Sequence, residues 1–255
     1  LPPSWRDRTA VALTSDAFFH SWWKAGAAAL AFNTFQLPQS EPSADGDTRF
    51  EVGPLAKVLA SRDIDFLTSP TSYAFRQLGG EGTSHFMSLL GSVTLSGKLW
   101  FDENDIRTSM APGAIGTWGK PADVAGDIVQ QEKELANVMV NGTAQWWFDV
   151  GSNVYDDPAL MDRIARLARN ASEVQALDRT PVDEVAMVVD ERSLCWMRVG
   201  DKALGAPLLV GQLPALSRIG APGGHYLASD LTRLRDRKVF FIMTSFAPTE
   251  QDRRM

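Results

Sequence analysis

The chain has 255 residues, 44% hydrophobic and 22% charged, with a net charge of -6 at neutral pH and a pI near 5.1. This is globular composition, long enough for one large domain or a domain and a half. An acidic balance without any basic run argues against nucleic acid or an anionic membrane as a partner and is compatible with a neutral ligand. The single cysteine, Cys195, excludes an internal disulfide framework and a cysteine-built metal site. No apolar run approaches membrane-spanning length, and no secretory hydrophobic region opens the chain. Leu1 is not an initiator methionine and the chain stops at Met255, soon after an apolar strand, so we expect a piece of a longer protein.

In chain order, residues 1–14 read as irregular. Ser15 or Asp16 can cap a helix over 17–26, and the short apolar run 27–35 reads as a strand. A long polar loop over 36–53 is of the kind that is functional or disordered in compact domains. Pro54 suits the first turn of a short helix reaching Ser61. Ile64 to Ser69 is the next strand, stopped by Pro70 and followed by a polar, glycine-ended loop that carries Tyr73 and Glu81. Helix potential over 86–95 precedes the segment Gly97 to Thr108. There, Leu99-Trp100-Phe101 has the size of a buried strand, and the chain switches within one residue to Asp102, Glu103, Asn104, Asp105 and Arg107. Three carboxylates and an arginine cannot be buried without partners, so this strand must emerge into a polar cleft. A glycine-rich loop with Trp118 follows. The clearest helix runs over 121–141 with apolar residues at helical spacing and Gly142 as its stop. Residues 144–150 are a strand that again ends on a carboxylate, Asp149. Asp157 and Pro158 start a helix to about residue 171.

Strand and helix thus alternate four times, with polar loops after the strands. That is the signature of a parallel α/β architecture. An open sheet also fits, but wide aromatic and acidic loops favour a barrel, and no glycine-rich phosphate loop is present. A boundary falls near 178–184. Beyond it a smaller α/β unit has strands at 185–189, near 225–227 and at 238–244, with a helix over 206–219. Its apolar strands have little of their own to cover them, so we expect it to pack on the barrel and against a neighbouring subunit.

The carboxylates at or near strand ends are Glu81, Glu103, Asp105 and Asp149. Beside them stand Tyr73, Trp100, Trp118, Trp146 and Trp147. Aromatic faces and carboxylates around a cleft suit sugars, whose C–H faces stack on rings while hydroxyls bond to charged groups. For Trp100, Trp146 and Asp149, plain core packing or loop capping is an equal alternative. His20, His85 and His225 are scattered, form no zinc pattern and accompany no Gly-x-Ser-x-Gly. Cys195, beside Trp196 in an expected surface helix, reads as inert.

The runs Asp63 to Tyr73, Gly79-Gly-Glu-Gly82, Ser92 to Thr108 and Trp146-Trp-Phe-Asp149 resemble the second half of family-42-type β-galactosidases, or close relatives among the clan-A bacterial retaining glycosidases. The resemblance implies the second half of a (β/α)8 TIM barrel over 1–178, with strands five to eight at Ala27, Ile64, Leu99 and Ala144. It implies a truncated α/β domain of the trimerisation type, Rossmann-like or glutaminase-like, over 184–255. The implied activity is retaining exo-hydrolysis of a carbohydrate through a glycosyl-enzyme on Glu103, with the acid/base upstream of Leu1 and the piece alone inactive. Asn104, Asp105 and Arg107 would orient the nucleophile or bind hydroxyls. Tyr73 would hold it ionised, and Trp146 or Trp147 would form a stacking platform. Glu81, Trp118 and Asp149 complete the substrate-binding set. The resemblance implies a homotrimer and neither cofactor nor metal. The strand ends at Thr34, Ser69, Glu103 and Asp149 should share one rim. Residues 32–36 depart from the aromatic ending expected after the fifth strand, which leaves a mannosidase or arabinosidase open. A non-catalytic carbohydrate-binding barrel and a structural or assembly domain are the other readings.

Overall fold

A computed structural model describes residues 55–62, 64–71, 75–79, 83–149, 153–194, 208–209, 211–246 and 248–254. The helix expected over 17–26, the strand over 27–35, Tyr73, Glu81 and Cys195 lie outside the described residues. The first unit contains α1 (Leu55–Ala60), β1 (Phe66–Pro70), α2 (Leu90–Leu95), β2 (Leu99–Asn104), α3 (Val124–Val140), β3 (Ala144–Trp147) and α4 (Pro158–Val174). The second contains β4 (Val185–Val189), α5 (Glu191–Leu194), α6 (Leu213–Leu216), β5 (Gly223–Leu227), β6 (Val239–Thr244) and α7 (Glu250–Arg253). A 3-10 turn over Ala228–Arg233 joins β5 to the segment before β6.

Local chemistry sets several of these boundaries. The Asp123 side chain accepts from the Gly126 amide and starts α3. Asp157 accepts from the amides of Ala159 and Leu160, with Pro158 in the first helical position where its missing N–H costs nothing. Of the helix expected over 206–219, Leu213–Leu216 is the regular α-helical segment described.

Among the described residues, each unit holds a three-stranded, all-parallel sheet. In the first, the order is β1-β2-β3, with Ser69 opposite Asp102, Pro70 opposite Glu103, and Glu103 opposite Trp146. The C-terminal ends of the three strands therefore share one edge. Thr34, the fourth residue expected there, lies outside the described residues. In the second sheet the order is β5-β4-β6, with the first strand in the middle. All five residues of β4 are buried, as an apolar central strand requires.

The two faces of the first sheet differ. Side chains alternate along a strand, so Trp100, Asp102 and Asn104 point one way and Leu99, Phe101 and Glu103 the other. The first face meets helices. Trp100 is 1% exposed and packs edge-on against Phe86, and Asn104 bonds to Gln131 of α3. On the second face Leu99 and Phe101 are only half-buried. A run of three apolar residues had suggested a strand covered on both sides. Among the described residues it is covered fully on one.

One apolar cluster crosses between the units, joining Leu67, Leu89, Val93, Trp100 and Leu135 to Val185, Met187, Leu213, Leu227 and Met243. Hydrogen bonds reinforce the junction. Ser92 of α2 accepts from the Leu227 amide at 2.7 Å and donates to Asp230 at 2.7 Å.

Candidate active site

The carboxyl edge of the first sheet gathers two groups of residues, one on each face. On the half-open face, Glu103 stands one residue before the end of β2 and is 8% exposed. Its register partner is Trp146, whose indole N–H donates to Thr68 Oγ1 of β1 at 3.3 Å. A row of rings runs across this face. Phe66 lies 6.0 Å from Phe101, edge to face. Phe101 lies 6.4 Å from Trp146, and Trp146 lies 5.5 Å from Phe148. Each of the four is half-buried. A carboxylate therefore stands at the end of an aromatic surface three strands wide.

The helical face is polar and closed. Asp102, 1% exposed, accepts from Thr71 Oγ1 at 2.8 Å and from the Trp100 indole at 3.1 Å. Burial drives its carboxyl up to about 8, against the opposing pull of those two donors. Asn104 donates to Gln131 Oε1 at 2.8 Å, and the Trp147 indole donates to the same oxygen at 2.8 Å. Glu134 of α3, also buried, accepts from Ser84 at 2.6 Å and Gln130 at 2.7 Å. Burial raises its pKa, with Lys133 beside it working the other way.

Beyond the strand end, Asp105 pairs with Arg76, Nη1 to Oδ1 at 2.5 Å, with both side chains buried. Arg76 Nε also donates to the Trp118 carbonyl at 2.8 Å. Gln130 and Lys133 donate to the Arg76 carbonyl. One arginine thus ties the loop after β1 to the loop after β2 and to α3. Tyr155 donates to the Asn104 carbonyl at 3.1 Å, and burial raises its phenol further from ionisation. No family model, curated protein or solved structure matches this chain.

The structure therefore brings Glu103 and Trp146 together on one face, and Asp105 and Trp118 together through Arg76. Trp147 turns to the helical face, where Gln131 holds it, so it is no neighbour of the Glu103 side chain. Asp149 is exposed, two residues past β3. Arg107 is half-buried, with its guanidinium beside Gly113. Tyr73 and Glu81 lie outside the described residues, so their approach to Glu103 is not described. Among the described residues no group of three acidic, histidine or cysteine side chains could hold a metal ion. Sequence reasoning missed Arg76, Gln131 and the burial of Asp102. A strand period of two would have separated Asp102 from Glu103 and Trp147 from Trp146. Nothing in the sequence signals Arg76, whose partners lie 29 and 42 residues away.

Proposed function

We propose that this chain belongs to a retaining exo-glycosidase of the β-galactosidase type, with Glu103 as the nucleophile. The observation that carries the reading is the register of Glu103 with Trp146 on an aromatic face at the C-terminal edge of a parallel sheet. Catalytic groups of α/β folds stand at that edge. A carboxylate there can attack an anomeric carbon, and a flanking ring can carry the C–H face of the sugar. In this reading Trp146 is the platform, while Arg76 and Asp105 fix the strand end that presents Glu103. Arg107 and Asp149 are the groups for hydroxyls. The sequential order β1-β2-β3 supports a barrel wall as the setting, and the central first strand of the second sheet supports an open α/β domain. We extend the proposal to a homotrimer, supported by the exposure of Val239, Phe240, Phe241 and Ile242 on β6. Light scattering of the intact protein tests it, and a monomer would remove it.

A 2-deoxy-2-fluoro-β-galactoside with a dinitrophenolate leaving group tests the nucleophile. The Glu103 oxygen forms a bond to the anomeric carbon as the C–O bond to dinitrophenolate breaks, and that anion leaves without a proton. The test thus needs no general acid. Peptide mapping should find the sugar on Glu103. An adduct on another carboxylate overturns the assignment. The half-open aromatic row favours a second reading, a carbohydrate-binding barrel without turnover. It is the outcome if no fluorinated galactoside, mannoside or arabinoside labels the protein while galactose still binds and Trp146→Ala abolishes that binding.

A further inference from the structure

A cavity of about 360 Å³ lies between the two units, away from Glu103, along the outer edge of β5. Its walls come from the stretch before α2, from α2 itself, from the C-terminal end of α3 and from β5. The volume is in the range of small-molecule sites rather than of a single buried water.

Its polar lining is unusually incomplete. Native proteins satisfy nearly all buried polar atoms, so each exception asks for a cause. Among the described residues, eight buried side-chain polar atoms lack a partner, and four of them belong to residues that line this cavity: Thr83 Oγ1, Ser88 Oγ, His225 Nε2 and Arg237 Nε. Two come from each unit. His225 and Tyr226 point to opposite faces of β5, so the cavity wraps the strand rather than sitting on one side.

The chemistry of those groups selects a ligand class. His85 and His225 stand edge to face at 5.9 Å, and burial keeps both rings neutral near pH 7. The guanidinium of Arg237 is already engaged. It bonds to Asp236 and to the Tyr226 hydroxyl, and that hydroxyl donates to Asp183 at 2.5 Å. With Asp183 on the wall to offset it, the site has no surplus positive charge to draw an anion. What remains are hydroxyls and a neutral imidazole, groups that both donate and accept, beside apolar walls from Phe86, Leu90 and Leu216. A molecule with many hydroxyls and one apolar face meets both requirements.

We propose that the junction cavity is a binding site for an uncharged polyhydroxylated small molecule of monosaccharide size, separate from the Glu103 site and independent of what Glu103 does. The intact protein, titrated by saturation-transfer NMR and calorimetry with D-galactose, myo-inositol and, as the anionic arm, inorganic phosphate, tests this. One neutral compound should bind with a dissociation constant in the millimolar range or below. Ser88→Ala, which removes only the hydroxyl, and His225→Phe, which keeps a planar ring, should each weaken it at least tenfold, while Glu103→Gln leaves it unchanged. Circular dichroism melts establish that the variants fold, and Thr83→Val substitutes for either one that does not. Binding that is lost with Glu103→Gln but kept in the cavity variants overturns the proposal, because the sugar then sits at β2. Phosphate binding in preference to both neutral compounds overturns it, as does no binding of either up to 100 mM. Covalent labelling at Glu103 reads a different site, so failure there leaves this result standing.

Discussion

Replacing Asp102 with asparagine should stabilise the protein at neutral pH. Asp102 is 1% exposed, and burial lifts its pKa from 3.8 to about 8. A folded-state pKa above the unfolded one means that the folded state keeps a proton which the unfolded state releases. Stability therefore falls as pH rises from about 4 to about 8. At roughly 1.4 kcal/mol per pKa unit, the 3.2 units between 3.8 and pH 7 set a ceiling of about 4 kcal/mol. Asparagine never ionises, so it recovers this loss. Its oxygen can accept from the Trp100 indole, and one amide hydrogen can be taken by Thr71 Oγ1, whose hydroxyl rotates. The second amide hydrogen is left unsatisfied at about 1–3 kcal/mol. The expected net gain is about 1–3 kcal/mol at pH 7, disappearing or reversing at pH 4. Urea unfolding of both proteins at pH 4, 5.5 and 7 measures it. A difference that does not change with pH, or a variant less stable than the parent at pH 7, refutes the reasoning.

Three further outcomes follow from the geometry. His225 is held neutral by burial and by His85, at about 3 in the folded protein, in a cavity also lined by Asp183 and Arg237; its folded pKa lies below the unfolded one, so its stabilisation is complete above about pH 6.5 and is lost on acidification. Relative to the parent, His225→Phe should therefore gain about 2 kcal/mol between pH 7 and pH 5, and chemical unfolding at the two values will show a constant difference if the ring is in fact solvated. Arg76→Ala leaves Asp105 buried without its cation and should cost roughly 3–5 kcal/mol, read from denaturant midpoints, with a loss below 1 kcal/mol arguing that the pair is wet. A methyl group added at Gly91 of α2 collides with the Tyr226 ring, so Gly91→Ala should lower stability by about 1–3 kcal/mol despite alanine's better helix propensity. Tyr226→Leu in the same chain should return part of that loss in thermal melts.

Much of the local structure was legible because it rests on short-range chemistry. The Asp157-Pro158 start of α4, the long helix ending before Gly142, and the strand that turns polar at Asp102 each follow from residues a few positions apart. The pairing of Glu103 with Trp146 was foreseeable in kind, since both stand near strand ends, but their shared face required the register. The rest depends on contacts that no local pattern encodes. Arg76 reaches Asp105 across two loops, and Ser92 joins α2 to Leu227 across 135 residues. His85 and His225 meet because two units pack, so their isolation in the sequence said nothing of their proximity. Trp147 was placed with Trp146 because both are aromatic neighbours, although a strand sends consecutive side chains to opposite sides.

That same alternation makes β2 intolerant of length change. Asp102 and Glu103 are adjacent in sequence yet occupy opposite environments, one sealed against α3 and neutral near pH 7, the other at the end of the ring row. Inserting or deleting a single residue between Leu99 and Asp102 would exchange the two sides from that point on. Glu103 would then be driven under the helix and Asp102 out among the aromatics, with Asn104 pulled from Gln131. Two acidic side chains of nearly equal chemistry would trade places while composition and charge stayed almost the same. Insertions in the exposed loop over 112–117 carry no such penalty, because no strand parity depends on its length. Natural variation in length is accordingly expected in that loop and excluded from the six residues of β2.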